Sequence, residues 1–303
     1  MASSVPYHQR SLDLPDKRAL IVGIDSLIGH ALGDKLLDLG WKVDGTSRRI
    51  TEKQNNVYPF DLRHLDRIEK LPPCDHIFLC AAMTKYFDCR KDPELARIIN
   101  VEAPVSLARH FSVMGSHVVF LSTSAVFDGT IPLRSPDSPI CPVTDYGRTK
   151  AEAEKLLMKT NGAVGILRLS KVLVASNPLF RRWISSLRAG EKIFPFYDMF
   201  MAPITLDLVV DMLVRIALLN CTGIYQISAQ EDVSYYDGAL YLAARILADT
   251  SLVIGQSALE KMIPSEELPR FTGLDSGMAM KLVGKNFPDS PLRAIDSIIF
   301  YAI

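Results

Sequence analysis

Residues 18–45 constrain the fold of this chain more than any other stretch. An apolar run at residues 18–22 ends at Gly23, a helical pattern of apolar residues follows, and Gly40 precedes a second apolar run. A short, continuous apolar run is typical of a strand that is buried on both faces of a parallel sheet. Strand, glycine turn, helix and strand together take about thirty residues, the length of a dinucleotide-binding βαβ unit. The sequence therefore predicts an α/β fold that begins with such a unit.

The glycine turn of this unit is suited to a pyrophosphate, because N–H groups and the dipole at a helix start favour an anion. Gly23 would allow the tight turn and Gly29 the close packing of helix on strand, whereas Ser26 stands where a central glycine is expected. A serine still presents its N–H, and its hydroxyl can bond a phosphate, but its side chain lies where the ligand must come close. A plain βα turn with two structural glycines is the alternative. The residues expected at the pyrophosphate are Gly23, Ser26, Leu27, Ile28 and Gly29.

Two arginines, Arg48 and Arg49, follow the second predicted strand. An acidic residue at this place would bond the ribose 2′-hydroxyl, whereas arginine suits a 2′-phosphate. The pair therefore predicts NADP(H) as the preferred cofactor, with NAD(H) as the second candidate. Two solvated arginines at a loop edge are the alternative interpretation.

Further cofactor contacts are expected where the next strands end. Asp61 and Leu62 follow a short predicted strand, and Asp61 is placed to meet an adenine edge. The strand predicted at residues 75–82 ends in Ala81 and Ala82, whose small side chains would leave room for a cofactor.

The stretch from residue 117 to residue 150 carries the residues for proton transfer. An apolar run ends in hydroxyls that include Thr123, and Tyr146 and Lys150 follow a turn-rich passage. A free tyrosine has a pKa of about 10, which a nearby ammonium lowers. Positions i and i+4 share one face of a helix, so Lys150 can reach the site of Tyr146, and Thr123 can hold a substrate oxygen. Taken alone, the tyrosine–lysine pair also fits an ordinary exposed helix turn.

Composition excludes several classes of partner. The 34 basic and 34 acidic residues cancel, so neither nucleic acid nor an acidic membrane surface is expected as a partner. No apolar run reaches the length of a membrane span. The five cysteines and six histidines show no metal-ligand spacing, so no metal site is predicted, and reduced thiols fit a cytoplasmic protein.

The remaining pattern predicts a Rossmann-type doubly wound parallel sheet with a smaller C-terminal substrate lobe made of discontinuous segments. Residues 1–17 are expected to be a loose leader without the apolar region of a signal peptide, and residues 18–175 the NAD(P)-binding domain. Residues 203–228 are expected to return a strand and a helix to that domain. Residues 176–303 would form most of the lobe.

Two motifs in the centre of the chain carry a resemblance to a known family. Residues 121–129 read LSTSAVFDG, and residues 146–150 read YGRTK with Glu154 four positions further on. These motifs resemble S-T-D-Y-V-F-D-G and Y-G-x-x-K-x-x-x-E of the extended short-chain dehydrogenases/reductases. Within them they are similar to the dTDP-4-dehydrorhamnose reductase-like (RmlD-like sugar-nucleotide-binding) group. The similarity extends from Arg18 over nearly the whole chain.

The resemblance implies an NADPH-dependent oxidoreductase that reduces a nucleotide-linked 4-keto sugar, with Thr123, Tyr146 and Lys150 as the catalytic triad. Tyr146 would give a proton to the sugar oxygen as hydride reaches C4, and Lys150 would bond the nicotinamide ribose and lower the tyrosine pKa. A homodimer is the candidate oligomeric state. Candidate substrate contacts are Tyr86, Ser124, Phe127 and Arg182.

Two departures from the family pattern restrict the activity. Ser124 and Ala125 replace the Asp-Tyr of the group, so substrate contacts there are expected to differ. The related 4,6-dehydratases place two acidic residues at these positions to eliminate water, which makes dehydration an unsuitable activity for this chain.

Two alternatives to a reductase stay open. A nucleotide-sugar epimerase would use the same triad but keep its cofactor bound throughout. A non-catalytic, NADP-binding regulatory subunit resembling the beta subunit of methionine adenosyltransferase is the second alternative. Ser26 favours the regulatory role, and the complete triad opposes it.

Overall fold

The structure is a computed structural model that describes residues 17–283 and 290–300. Of the leader expected at residues 1–17, all but Lys17 lies outside the described residues. In the described part of the chain, no helix is both long and apolar enough to cross a membrane.

Seven parallel strands form the central sheet, in the spatial order β10-β6-β5-β4-β1-β2-β3. In chain order the strands are β1 (Arg18–Val22), β2 (Lys42–Ser47), β3 (Val57–Pro59), β4 (His76–Leu79), β5 (His117–Thr123), β6 (Val164–Leu169), β7 (Val172–Leu173), β8 (Phe200–Met201), β9 (Ile204–Thr205), β10 (Gly223–Ile227) and β11 (Val233–Ser234). The predicted doubly wound parallel sheet is confirmed. Its last strand, β10, pairs with β6 although more than fifty residues separate them in the sequence.

Helices cover both faces of the sheet. In chain order they are α1 (Leu27–Asp38), α2 (Tyr86–Lys91), α3 (Pro93–Arg97), α4 (Ala103–Val113), α5 (Asp145–Leu157), α6 (Pro178–Arg188), α7 (Leu206–Leu218), α8 (Tyr235–Arg245), α9 (Gly277–Val283) and α10 (Pro291–Phe300). Apolar side chains of α1, α7 and α9 pack on one face of the sheet, and those of α4 and α5 pack on the other. Burial of both faces explains why the strands read as continuous apolar runs.

A separate apolar core holds the C-terminal lobe together. Phe180 and Trp183 of α6 pack against side chains of α8 and α10 such as Tyr235 and Ile295. Two small two-stranded sheets also form in this half of the chain, one from β8 and β11 and the other from β7 and β9. Helix α9 does not belong to this core, because its apolar side chains pack on the central sheet.

Candidate active site

The glycine turn after β1 has room for no side chain at its two glycines. Gly23 has a φ of 84°, and a Cβ there would lie 2.7 Å from the Cβ of Ala81. A Cβ on Gly29 would lie 2.3 Å from the carbonyl oxygen of Gly23. The first glycine therefore permits the tight turn beside the end of β4, and the second permits α1 to start against it. Ala81 and Ala82 follow β4 at this same edge of the sheet.

Ser26 caps the first helix. Its Oγ accepts a hydrogen bond from the backbone N–H of Gly29 at 3.1 Å. This is the usual role of serine at a helix start, and it satisfies one N–H that a glycine turn would leave to an anion. The hydroxyl can still donate its own proton. Leu27 and Ile28 begin the helix just after it.

Asp25 joins the glycine turn to the end of β2. Its Oδ2 accepts a hydrogen bond from Ser47 Oγ at 3.0 Å and lies 3.2 Å from Arg49 Nε. Ser47 Oγ in turn accepts the backbone N–H of Arg49 at 3.0 Å. Arg48 and most of the Arg49 side chain are exposed beside this cluster. The arginines thus lie where the prediction places a 2′-phosphate, but Arg49 already has an acidic partner.

Asp61 forms a local ion pair. Its carboxylate accepts the backbone N–H of Arg63 and lies 2.6 Å from Arg63 Nη2. The hydrogen bonds from Arg63 hold the pKa of Asp61 below its ordinary value. The neighbouring Leu62 is buried in the core. An adenine at this place would meet a carboxylate that remains charged.

Thr123, Tyr146 and Lys150 come together at the carboxyl edge of the sheet. Thr123 is the last residue of β5, and Thr144 caps the start of α5 by accepting the N–H of Gly147 at 3.0 Å. Tyr146 therefore lies in the first turn of α5 and Lys150 one turn later. The Tyr146 ring packs against that of Tyr86 with 5.8 Å between centroids.

Burial controls the protonation of these side chains. Burial raises the pKa of Tyr146 above its ordinary value, and a hydrogen bond with Thr123 opposes the rise. Burial also lowers the pKa of Lys150 to about 7, although the nearby Glu154 carboxylate favours its charged form. The Lys150 ammonium lies 3.7 Å from the centroid of the Phe120 ring.

In the protein without ligand, burial outweighs any effect of Lys150 on Tyr146, because the pKa of Tyr146 is raised and not lowered. Lys150 is only 3% exposed, and this burial lowers its pKa to about 7, so it carries only part of its charge near neutral pH. The raised pKa keeps Tyr146 protonated near neutral pH, which suits a proton donor.

A buried polar network lies behind the site. Arg168 of β6 donates to both carboxylate oxygens of Glu154 and, through Nη1, to Gln226 Oε1 at 2.9 Å. Ser122 also donates to Glu154. Gln226 donates to the backbone carbonyls of Arg134 and Asp275, which fixes the segment between β5 and α5 and the segment before α9 to β10. This network was not predicted from the sequence, although a charged residue inside an apolar strand was its signal.

Asn100 is a second residue whose role the sequence analysis missed. It is fully buried in a π-helical turn between α3 and α4. Its side chain both donates to and accepts from the backbone of Met83 at 2.9 Å, and it donates to Thr149 Oγ1 at 3.1 Å. It thereby fixes the segment after β4 to α5. A polar residue inside an apolar helical pattern was the available signal.

The four candidate substrate contacts have different surroundings. Tyr86 is partly buried against Tyr146, and Ser124 begins a short 3₁₀ turn just after Thr123. Phe127 is only 6% exposed, and its ring centroid lies 5.5 Å from Arg134 Cζ and 5.1 Å from Arg168 Cζ. Phe127 therefore packs inside the protein. Arg182 is exposed on α6 of the C-terminal lobe.

A polar cavity of about 210 Å³ opens beside Tyr86 and the start of α5. An ion pair between Arg90 and Glu267, 2.6 Å long, crosses its wall from α2 to the C-terminal lobe. The lining residues are Tyr86, Arg90, Val143, Thr144, Asp145, Arg148, Glu266 and Glu267.

The RmlD substrate binding domain family matches residues 17–289 of this sequence. The chain belongs to this family. The resemblance to the RmlD-like group of extended short-chain dehydrogenases/reductases is thereby confirmed.

Three proteins illustrate the range of this similarity. The chain is 27% identical over 247 residues to methionine adenosyltransferase 2 subunit beta of Xenopus tropicalis, covering 76% of the chain and 72% of that protein. It is 29% identical over 182 residues to dTDP-4-dehydrorhamnose reductase of Salmonella typhimurium, covering 57% of the chain and 60% of that protein. The structure of dTDP-4-dehydrorhamnose reductase from Bacillus anthracis in complex with NADP superimposes with a TM-score of 0.82 at 19% identity, covering 95% of the chain and 100% of that structure.

Proposed function

We propose that this RmlD-like protein is an NADPH-dependent reductase of a nucleotide-linked 4-keto sugar. The observation that carries the proposal is the convergence of Thr123, Tyr146 and Lys150 at the sheet edge that also holds the glycine turn. A tyrosine that keeps its proton beside a dinucleotide turn is suited to carbonyl reduction. The relative named dTDP-4-dehydrorhamnose reductase supports the choice of substrate class.

The glycine turn fits a dinucleotide. Gly23 and Gly29 let the turn, the end of β4 and the start of α1 approach one another closely. The N-terminus of α1 lies at this turn, and a helix N-terminus favours an anion. The pyrophosphate would lie on the turn, the ribose 2′-substituent near Arg48 and Arg49, and the nicotinamide toward Lys150. The bound nicotinamide would supply a hydride to the carbonyl carbon.

The side chains of this protein would supply and guide the proton. Tyr146 would donate its phenolic proton to the oxygen of the former carbonyl, which becomes the alcohol of the product. Thr123 would hydrogen-bond the same oxygen and hold it at the phenol. Lys150, when protonated, would bond the nicotinamide ribose and stabilise the phenolate left on Tyr146.

A regulatory subunit is the second candidate function. It is favoured by the 27% identity over 247 residues to the beta subunit of methionine adenosyltransferase 2. The Ser26 cap, which takes up the N–H of Gly29, also favours it because it withdraws one donor from the pyrophosphate. In this role the chain would bind methionine adenosyltransferase and need no turnover of its own.

Binding and turnover assays on the purified protein separate these candidates. NADPH is titrated first, and a 4-keto nucleotide sugar is then added while NADPH absorbance is followed. Saturable NADPH binding with substrate-dependent oxidation is the expected result. Binding without oxidation of any 4-keto nucleotide sugar would overturn the reductase proposal, and co-elution with methionine adenosyltransferase would then support the second candidate. A cofactor that stays bound through purification would indicate an epimerase instead.

A further inference from the structure

We infer that Asp25 limits the preference of this protein for NADPH over NADH, by holding the residues that would otherwise bind a 2′-phosphate. The inference rests on the proposed function, since it concerns the cofactor of the same site. It assigns a role in cofactor selectivity to a residue of the glycine turn.

The contacts of Asp25 lead directly to this role. One oxygen of its carboxylate, Oδ2, both accepts the Ser47 hydroxyl at 3.0 Å and pairs with Arg49 Nε at 3.2 Å. These are the donors at the end of β2 that a phosphate on the ribose would need. The Asp25 carboxylate therefore already binds the two groups that a 2′-phosphate would use.

The two cofactors meet this cluster with different charges. A 2′-phosphate carries about two negative charges near neutral pH, so its approach to Arg49 brings it against the Asp25 carboxylate. A 2′-hydroxyl carries no charge and can donate a hydrogen bond to a carboxylate, which is how acidic residues select NAD. Asp25 thus weakens the binding of NADPH and favours the binding of NADH.

Exposure limits the size of the effect. The Asp25 side chain is 30% exposed and that of Arg49 is 75% exposed, so solvent and salt screen their interaction. Arg48, exposed at the same edge, still attracts the phosphate. A selectivity change of about tenfold is therefore expected when the charge of Asp25 is removed, equivalent to about 1.4 kcal/mol.

The test measures dissociation constants for NADPH and NADH by fluorescence titration and compares their ratio among variants. Asp25→Asn keeps an oxygen for the Ser47 hydroxyl but removes the charge. We expect it to tighten NADPH binding, weaken NADH binding slightly, and shift the ratio about tenfold toward NADPH. Asp25→Ser is a second neutral variant with the same expectation, and thermal melting checks that both are folded.

Asp34→Asn is the matched control, because it removes the same charge from the exposed side of α1. Its ratio should stay within about twofold of the wild-type value. In the double variant Asp25→Asn with Arg49→Gln, the gain in NADPH selectivity should disappear if Asp25 acts through Arg49.

Each other outcome has a definite meaning. Folded Asp25 variants with the wild-type ratio would overturn the inference and leave the proposed function intact. An equal shift in the Asp34→Asn control would also overturn it, since net charge alone would then explain the effect. A wild-type protein that binds neither cofactor would refute the dinucleotide site, and the inference would fall with it.

Discussion

Arg168 and Glu154 form a buried ion pair, with 2.7 Å between Arg168 Nη2 and Glu154 Oε2 and side chains that are 2% and 3% exposed. The pair joins β6 to the helix that carries Tyr146 and Lys150. Ser122 and Gln226 complete its hydrogen bonds. Neither charge has access to water, so each depends on the other.

Removal of one partner of this pair should destabilise the protein strongly. Arg168→Met leaves the Glu154 carboxylate buried without its partner, which costs about 3–5 kcal/mol. Urea denaturation measures the loss. Arg97→Met is the control, because the Arg97–Glu152 pair is about half exposed and worth less than about 1 kcal/mol. If both variants lose a similar free energy of unfolding, the buried Arg168–Glu154 pair is no more important for stability than an exposed pair.

Replacement of Tyr146 by phenylalanine should abolish reduction but not cofactor binding. The variant loses only the phenolic oxygen, so the proton donor is gone while the ring and its contact with Tyr86 remain. Turnover should fall by about 100-fold to 10,000-fold. Steady-state kinetics and NADPH titration measure the two effects. Tyr197→Phe, the same change on a half-exposed tyrosine of the C-terminal lobe, should leave both unchanged. Near-normal turnover in Tyr146→Phe would refute the triad.

The burial of the Lys150 amine should destabilise the protein when no ligand is bound. Burial lowers its pKa to about 7 from about 10.5, so the unfolded state binds more protons between these values. The destabilising contribution of Lys150 is therefore absent above about pH 10 and grows as the pH drops toward 7. Lys150→Met should raise the melting temperature at pH 7 by several degrees and flatten its rise toward pH 9.

The control for this experiment lies on the same helix. Lys155 is exposed, so Lys155→Met should leave the pH dependence of the melting temperature as it is. In the wild-type protein, NADPH binding should also weaken as the pH rises through 7, because a neutral Lys150 no longer offers a charged donor to the ribose. A lower melting temperature for Lys150→Met at pH 7 would contradict the proposed cost of burying the amine.

His76 and His117 should make the protein sensitive to acid. Their Nδ1 atoms lie 3.3 Å apart at the amino ends of β4 and β5, and burial lowers the pKa of both, that of His76 to about 4. Lys17 also opposes a positive charge on either ring, while Asp75 favours one on His76.

The sign of this pH effect follows from the lowered pKa values. An unfolded histidine binds its proton near pH 6.5, so stability is full above that pH and is lost as the pH falls toward 4. His76 alone accounts for about 3 kcal/mol over this window. Urea denaturation at pH 7 and pH 5 should therefore show a smaller loss in His76→Leu than in the wild type. The exposed His64, changed to leucine, should keep the wild-type loss.

Ser26→Gly should tighten NADPH binding several-fold. Glycine removes the side chain at the proposed pyrophosphate site and releases the N–H of Gly29, while the loss of the cap costs only a few tenths of a kcal/mol. Ser26→Ala removes the hydroxyl but keeps the Cβ. Comparison of the two variants therefore separates the effect of the hydroxyl from the steric effect of the side chain. Weaker binding by Ser26→Gly than by the wild type would show that the serine hydroxyl itself binds the phosphate.

The repeating elements of the fold could be predicted from local patterns. The strands that form β1, β4, β5 and β6 read as apolar runs because both faces of the sheet are covered, and Gly23 and Gly29 marked the turn that the structure has. Thr123, Tyr146 and Lys150 could be predicted as site residues because helix spacing and a strand end can be read directly along the chain. Helix α9 was missed because its short apolar pattern lies in a turn-rich stretch.

The sequence by itself determined the succession of strands and helices along the chain, the glycine turn and the family motifs. Each of these depends on residues that are close together in the chain. Only the tertiary structure decided that Asp25 pairs with Arg49, that Asn100 anchors Met83, and that Arg168 faces Glu154. Burial in the folded protein also raises the pKa of Tyr146 instead of lowering it. These features depend on which distant segments meet and on how much water they exclude. Local periodicity records neither, because desolvation and pairing of charges arise only when the chain is packed.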